Sequence, residues 1–165
     1  MLKHLLIPLD GSLLAEAAIE EARRITSMGT LITLLTIVRQ PHIAIDGDDL
    51  ASSWTSTDEV DAVEAATAAR NYLEKVAKDL QIDGFEVHMV VECGASPEDM
   101  ISEIAREVHA DAIVMSTHGR SGIRSWAFGS VASKVLSSTC CPVLIVPSRE
   151  SERLFAEEAS EINYG

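Results

Sequence analysis

The chain has 165 residues, 47% of them hydrophobic, which suits one domain with a sizeable core and excludes wholesale disorder. Thirteen Lys and Arg against 26 Asp and Glu leave a net charge of −13, and only 4% of the residues are aromatic. That sign argues against nucleic acid or an anionic membrane as the main partner, and the few aromatics leave little surface for stacking on single strands.

The charge is unevenly spread. From Pro41 to Ala69 there are seven acids (Asp46, Asp48, Asp49, Asp58, Glu59, Asp61, Glu64) and no Lys or Arg. The segment from Glu150 onward adds five acids against Arg153 alone. Ala112 to Arg149 holds no acid, but carries Arg120, Arg124, Lys134, Arg149 and His118. A local positive field in an acidic chain suits a small anion. No run approaches the ~20 apolar residues of a membrane span. Pro8 and Asp10 interrupt the first apolar run, so it does not read as a signal peptide. The cysteines, Cys93, Cys140 and Cys141, are odd in number and two are adjacent, which makes no disulfide framework and points to a reducing cytoplasm.

In chain order, Lys3 to Leu9 predicts a buried strand, short, apolar and closed by Pro8-Leu9-Asp10-Gly11. Ser12 is placed to cap a helix to about Met28, with Leu14, Ala18, Ala22 and Ile25 at helical spacing and Gly29 as its stop. Leu31 to Val38 predicts a second strand, apolar enough for burial on both faces. Residues 41 to 57 read as an acidic loop. Asp58 to Leu80 predicts a long helix with Val60, Val63, Ala66, Tyr72, Leu73, Val76 and Leu80 along one side. Phe85 to Val91 is a third strand. Ser96-Pro97-Glu98-Asp99 opens a helix to about Val108, with Ser as cap, Pro in the first turn and acids at the positive dipole end. Ala112 to Met115, Ser130 to Ser138 and Pro142 to Val146 then read as strand, helix, strand. Strict alternation predicts an α/β fold: an open five-stranded parallel sheet with helices on both faces. Ligands of such sheets bind beyond the strand C-termini at the topological switch point, which singles out the loops after Asp10 and Ser116.

The second of these loops carries the chemistry. Ser116-Thr117-His118-Gly119-Arg120-Ser121-Gly122 is followed by Gly129-Ser130, which opens a helix. Glycines permit tight turns and close backbone approach, and a helix N-terminus offers N–H groups and a positive dipole end. Together with Ser130, Arg120 and Arg124 these are the parts of a phosphate cradle. The same glycines also suit a plain connector between strand and helix, because a lone glycine pattern is weak evidence.

The stretch MSTHGRSGIRSWAFGSVASKVLSSTCCPVLIVP resembles the C-terminal half of the universal stress protein (UspA-like) family, and HLLIPLDGSLLAEAAIEEA resembles its first strand and helix. The resemblance spans about residues 2 to 147. It implies a domain over 1–148, with the acidic loop 41–57 as an insertion and an acidic tail over 149–165. It also implies a Rossmann-like fold of the adenine nucleotide α-hydrolase type. The family's nucleotide motif is Gly, two residues, Gly, nine residues, then Gly with Ser or Thr. Gly119, Gly129 and Ser130 match it, and Ser116 stands where the pattern has Gly. A positive φ at that position would penalise serine, whereas a negative φ accepts it and leaves a hydroxyl for a ribose or phosphate oxygen.

By position, the ATP-binding branch implies adenine against Pro8, Leu9 and Ile37 or Val38. Asp10 falls near the ribose and the magnesium-bound phosphates, Met115 and Ser116 along the nucleoside, and Gly119, Gly129, Ser130 and Val131 around the phosphates. His118, Arg120 and Gly122 lie within the same loop. The family also implies a cytoplasmic homodimer paired through the last strand, with Val143 and Ile145 near the two-fold axis, and a stress-response or signalling role. An exposed apolar edge strand needs such cover.

Other readings of these residues are plainer. Asp10 also reads as a helix cap, although its place at the switch point favours a ligand. His4, His42, His88 and His109 show no metal spacing, and nothing activates Cys140 or Cys141 as a nucleophile. Trp54 lies in the acidic loop, while Trp126 and Phe128 read as loop anchors in the core. With no Walker A, G-x-S-x-G or kinase signature, a dedicated enzyme is not expected, and ATP hydrolysis would be slow at most. The alternatives are a nucleotide-free dimerisation module of the same fold and a weak ATPase.

Overall fold

The computed structural model describes residues 2–39, 56–116 and 129–147. Five strands, β1 (His4–Pro8), β2 (Leu31–Arg39), β3 (Glu86–Gly94), β4 (Ala112–Ser116) and β5 (Val143–Val146), alternate with four helices, α1 (Ala17–Ile25), α2 (Ser56–Ile82), α3 (Pro97–Glu107) and α4 (Ser130–Ser138). The sheet order is β3-β2-β1-β4-β5, and every neighbouring pair is parallel. The alternation predicted from sequence is therefore the observed architecture.

The period-2 side-chain pattern divides the core into two layers. Leu5, Ile7, Leu9, Ile32, Leu34, Ala112 and Val114 meet Ala18, Ile19 and Ala22 of α1 and Leu73, Ala77 and Leu80 of α2 on one face. Leu6, Leu35, Ile113 and Met115 meet Ile101, Ile104 and Ala105 of α3 and Ala132 and Val135 of α4 on the other. β1 lies between these layers with Leu5, Leu6 and Ile7 wholly shielded from water.

Four local expectations differ from what is observed. Ser12 does accept a hydrogen bond from Ala15 N (3.2 Å), but it caps a tight i→i+3 turn, and regular α1 begins only at Ala17. That helix ends at Ile25, and Gly29 (φ +82°) turns the chain into β2 three residues past the Thr26 cap. Ser96 makes no side-chain cap bond at α3, although Pro97 opens the helix as expected. The predicted apolar side of α2 is buried only from Leu73 onward, since Val60 and Val63 are exposed. Periodicity marks an amphipathic helix but not how much of its length meets the sheet.

The base of the sheet is fastened by polar groups. Asp111 Oδ2 accepts hydrogen bonds from Lys3 N (2.6 Å) and His4 N (3.0 Å), and Asp111 N donates to His4 O (2.8 Å). The His4 ring joins Thr33 Oγ1 through Nε2 at 2.8 Å. Burial pushes the His4 pKa below its ordinary 6.5, against the opposing pull of the Val108 carbonyl and Asp111.

The unfolded chain therefore binds this proton more readily than the folded one. The stability His4 contributes is present above pH 6.5 and is lost as pH falls through its depressed folded value. The lowered carboxyls of Asp111 and Glu98 lose their contribution only below their ordinary 3.8 and 4.5. We predict that Tm falls on acidification from pH 7 to 5.5 and that His4→Gln flattens this slope. An unchanged slope in the variant would assign the proton to another group.

Candidate functional site

The sheet opens where β1 and β4 approach their C-terminal ends. Their shared ladder registers Leu5↔Ala112 and Leu6↔Ile113 and goes no further. β1 stays with β2 as far as Pro8↔Leu35, and β4 stays with β5 as far as Ser116↔Val146. The two central strands are hydrogen-bonded to each other only at the base and follow different partners at the top, and in open parallel sheets such a place is where a ligand crevice lies. This is also where the connections diverge: β1 leads to β2 on one side, and β4 leads to β5 on the other.

One lip of the crevice is the end of β1. Leu9 is buried, its N–H donates to Leu35 O at 2.7 Å, and its carbonyl accepts from buried Thr36 Oγ1 at 3.0 Å. Pro8 supplies no N–H, so it suits the last position of the strand. Asp10 then closes a turn, in which its Oδ1 accepts from Ser12 N (3.0 Å) and Ser12 Oγ (2.6 Å). The turn fixes the carboxylate just beyond the strand, with Gly11 at φ +80° completing the bend.

The other lip is the end of β4 and the start of α4. Met115 and Ser116 are both buried, and Met115 belongs to the α3–α4 layer. Among the described non-glycine residues only His109 has a positive φ, so the backbone at Ser116 suits serine. Gly129 precedes α4 with φ −52° and ψ 153°, and Ser130 and Val131 form the first turn. α4 returns the chain to the base of β5, so its N-terminus lies at the same end of the sheet as the ends of β1 and β4. Ile37 faces the α3–α4 layer, and Val38, the next residue along the strand, alternates to the opposite face. His118, Gly119, Arg120 and Gly122 lie outside the described residues.

Two features at this end of the sheet have no signal in the sequence. Thr36 reads there as one more β-branched strand residue, yet its hydroxyl holds the Leu9 carbonyl. Glu98 reads as an acid at a helix start, yet its buried carboxylate accepts a hydrogen bond from Lys134 Nζ of α4. The Lys134 hydrogen bond is the main cause that lowers the Glu98 pKa, and the same contact raises that of Lys134. Ser102 and Ser138, joined at 2.9 Å, bind the same two helices further along. A separate groove of about 510 Å³ runs between α1 and α2, lined by Leu13, Glu16, Arg23, Val76 and Asp79 among others. It lies in the outer helix layer, and none of the expected site residues lines it.

Thr36→Val keeps the shape of the side chain and removes the bond to Leu9. A lost neutral hydrogen bond that leaves a buried carbonyl unpaired costs ~1–3 kcal/mol. We predict a matching fall in chemical-denaturation stability with no change in circular dichroism. A variant as stable as the parent would mean that Leu9 is held by its ladder bond alone.

The profile of the universal stress protein family matches residues 1–147. Universal stress protein MJ0531 of Methanocaldococcus jannaschii is 30% identical over 152 residues, covering 91% of this chain and 85% of that protein. The solved structure of MJ0577 from the same organism superposes with a TM-score of 0.77 at 25% identity, covering 92% of this chain and 99% of that one. A universal stress protein family member from Arabidopsis thaliana, solved with AMP bound, superposes with a TM-score of 0.59 at 14% identity, covering 89% and 92% of the two chains. At that identity the likeness concerns the fold alone. Sequence and architecture together place this chain in the universal stress protein family.

Proposed function

We propose that the chain binds an adenine nucleotide, ATP with magnesium, in the crevice between β1 and β4, and that a stress-response or signalling partner reads its occupancy. The observation that carries this reading is the parting of β1 and β4 beyond Leu6↔Ile113, with the Asp10 turn on one lip and the N-terminus of α4 on the other. Such a crevice gives an anionic ligand a helix dipole and free N–H groups at one end and buried apolar strand ends at the other. The AMP-bound member of the same family supports the ligand class.

In this reading adenine rests against Pro8, Leu9 and Ile37 or Val38, and Met115 and Ser116 flank the nucleoside. Gly119, Gly129, Ser130 and Val131 surround the phosphates, with His118, Arg120 and Gly122 in the same loop. Asp10 faces the ribose and the magnesium-bound phosphates. Among the described residues no group of three His, Cys, Asp or Glu could hold a metal by itself. A magnesium ion at Asp10 would therefore draw its other ligands from phosphate and water, as this cation commonly does. Occupancy acts by favouring one arrangement of the surrounding loops, which a partner can distinguish.

Dimerisation through β5 is the second part of the reading, and an edge strand supports it. Val143, Leu144 and Ile145 are only half-buried although they are apolar. Val143 and Ile145 also pack towards the α3–α4 layer of their own chain. Light scattering should give twice 17.8 kDa for the parent and half of that for Val143→Lys. A monomeric parent, or a variant that stays dimeric, rejects this interface.

The nucleotide itself is tested by denaturing the purified protein, identifying what is released by mass spectrometry, and titrating Mg-ATP into the stripped protein. We expect adenine nucleotide in the first step or a measurable heat in the second, with Gly129→Leu weakening affinity at least tenfold. Equal affinity in that variant removes the cradle from the proposal. Absence of binding at millimolar ATP favours a nucleotide-free dimerisation module. Steady phosphate release above the Gly129→Leu background would instead show a weak ATPase.

A further inference from the structure

We infer that Glu98 is a specificity-determining residue of the nucleotide crevice: by engaging Lys134 it withholds a cation from the terminal phosphates, and so limits the preference for a triphosphate over a monophosphate. This rests on the proposed nucleotide site and adds to it a residue that the motif does not contain.

Ser130 opens α4, and Lys134 follows four residues later on the same face. Helical side chains lean toward the N-terminus, so the long Lys134 stem extends toward the turn that would meet phosphate. Its side chain is 64% exposed, so nothing packs it into one position except its partner. That partner is the Glu98 carboxylate, only 11% exposed and anchored in the first turn of α3. Arg39, at the end of β2, acts electrostatically on both charges. Asp99, in the same turn of α3, also acts on Lys134, so two acids and two cations meet at the C-terminal rim of the sheet, and Glu98 is the acid bonded to the ammonium. Neutralising that acid frees an ammonium with the stem length to approach the β and γ phosphates, which AMP lacks.

The alternative is that the pair only holds α4 against α3. The two roles predict different signs. If it only holds the helix, Glu98→Gln, Lys134→Met and the double variant all weaken binding together. If Glu98 governs charge, Glu98→Gln raises the ratio of ATP to AMP affinity, Lys134→Met lowers it, and the double variant returns it to the parent value. A single charge a few ångströms from phosphate at a solvated surface in low salt changes affinity by about threefold or more.

The test is calorimetric titration of ATP and of AMP, with magnesium present and salt low, into the full-length parent and the three variants, with thermal melts run alongside. We expect the ratio to rise about threefold in Glu98→Gln even though that protein melts lower. Should Glu98→Gln fail to fold, Lys134→Met at its exposed position still decides the matter by lowering the ratio. A parent that binds both nucleotides while the variants keep its ratio, or shift it in one common direction, overturns this inference alone. A parent that binds neither nucleotide overturns the proposed function, and this inference with it.

Discussion

Everything in this fold depends on β1 being paired in parallel on both edges and covered on both faces. Parallel strands cannot be joined by a hairpin, so each pairing requires a helical crossover. A strand with a parallel partner on either side has crossovers reaching it from both halves of the sheet. Leu5, Leu6 and Ile7 meet that demand by being apolar without alternation, and all three are inaccessible to water. The Asp111 clasp ties the base of β1 to the base of β4 through two backbone N–H groups, where the ladder between them is short. The crevice follows from this arrangement. The ladder between β1 and β4 ends after Leu6↔Ile113, at the switch point where each strand keeps only its other partner.

The two helix layers then take different parts. The α1–α2 layer contributes bulk, with Tyr72 Oη donating to Glu16 Oε1 at 3.0 Å between the helices. The first half of α2, as far as Ala69, carries Asp58, Glu59, Asp61 and Glu64 and no Lys or Arg. The α3–α4 layer contributes the polar end. Both of its helices start at the C-terminal end of the sheet, and their polar contacts include the Glu98–Lys134 ion pair and the Ser102–Ser138 hydrogen bond. No acid occurs between Ala112 and Arg149, so the segment that follows β4 is the basic stretch of an acidic chain.

Most of the architecture was legible because its signals are local. Short apolar runs closed by Pro, Gly and Asp marked the strands, and Ser130 to Ser138 marked α4 to the residue. Alternation gave the parallel sheet with helices on both faces, while the strand order β3-β2-β1-β4-β5 came only with the structure. What stayed hidden was set by tertiary contact. One exception is local: the start of α1 is delayed because Ser12 donates to Asp10 and accepts from Ala15 N, a competition that favours a turn over a helix. The first half of α2 repeats apolar residues at helical spacing beyond the sheet it was expected to cover. Glu98 and Lys134 are 36 residues apart on different helices, so no periodicity or motif links them.

Ser116 and Gly129 show how conformation and function part company at a glycine motif. A glycine is often kept because its backbone must enter the left-handed region, and then a substitution costs stability whether or not a ligand is present. Neither position is of that kind. Ser116 is the last residue of a strand, in register with Val146, and Gly129 has a negative φ before its helix. The backbone conformation does not demand glycine at either place. On the proposed function, close approach of a ligand to the backbone would add a steric demand that folding measurements do not report. Ser116 is therefore compatible with an intact domain, and its hydroxyl sits at the end of a strand where the crevice begins.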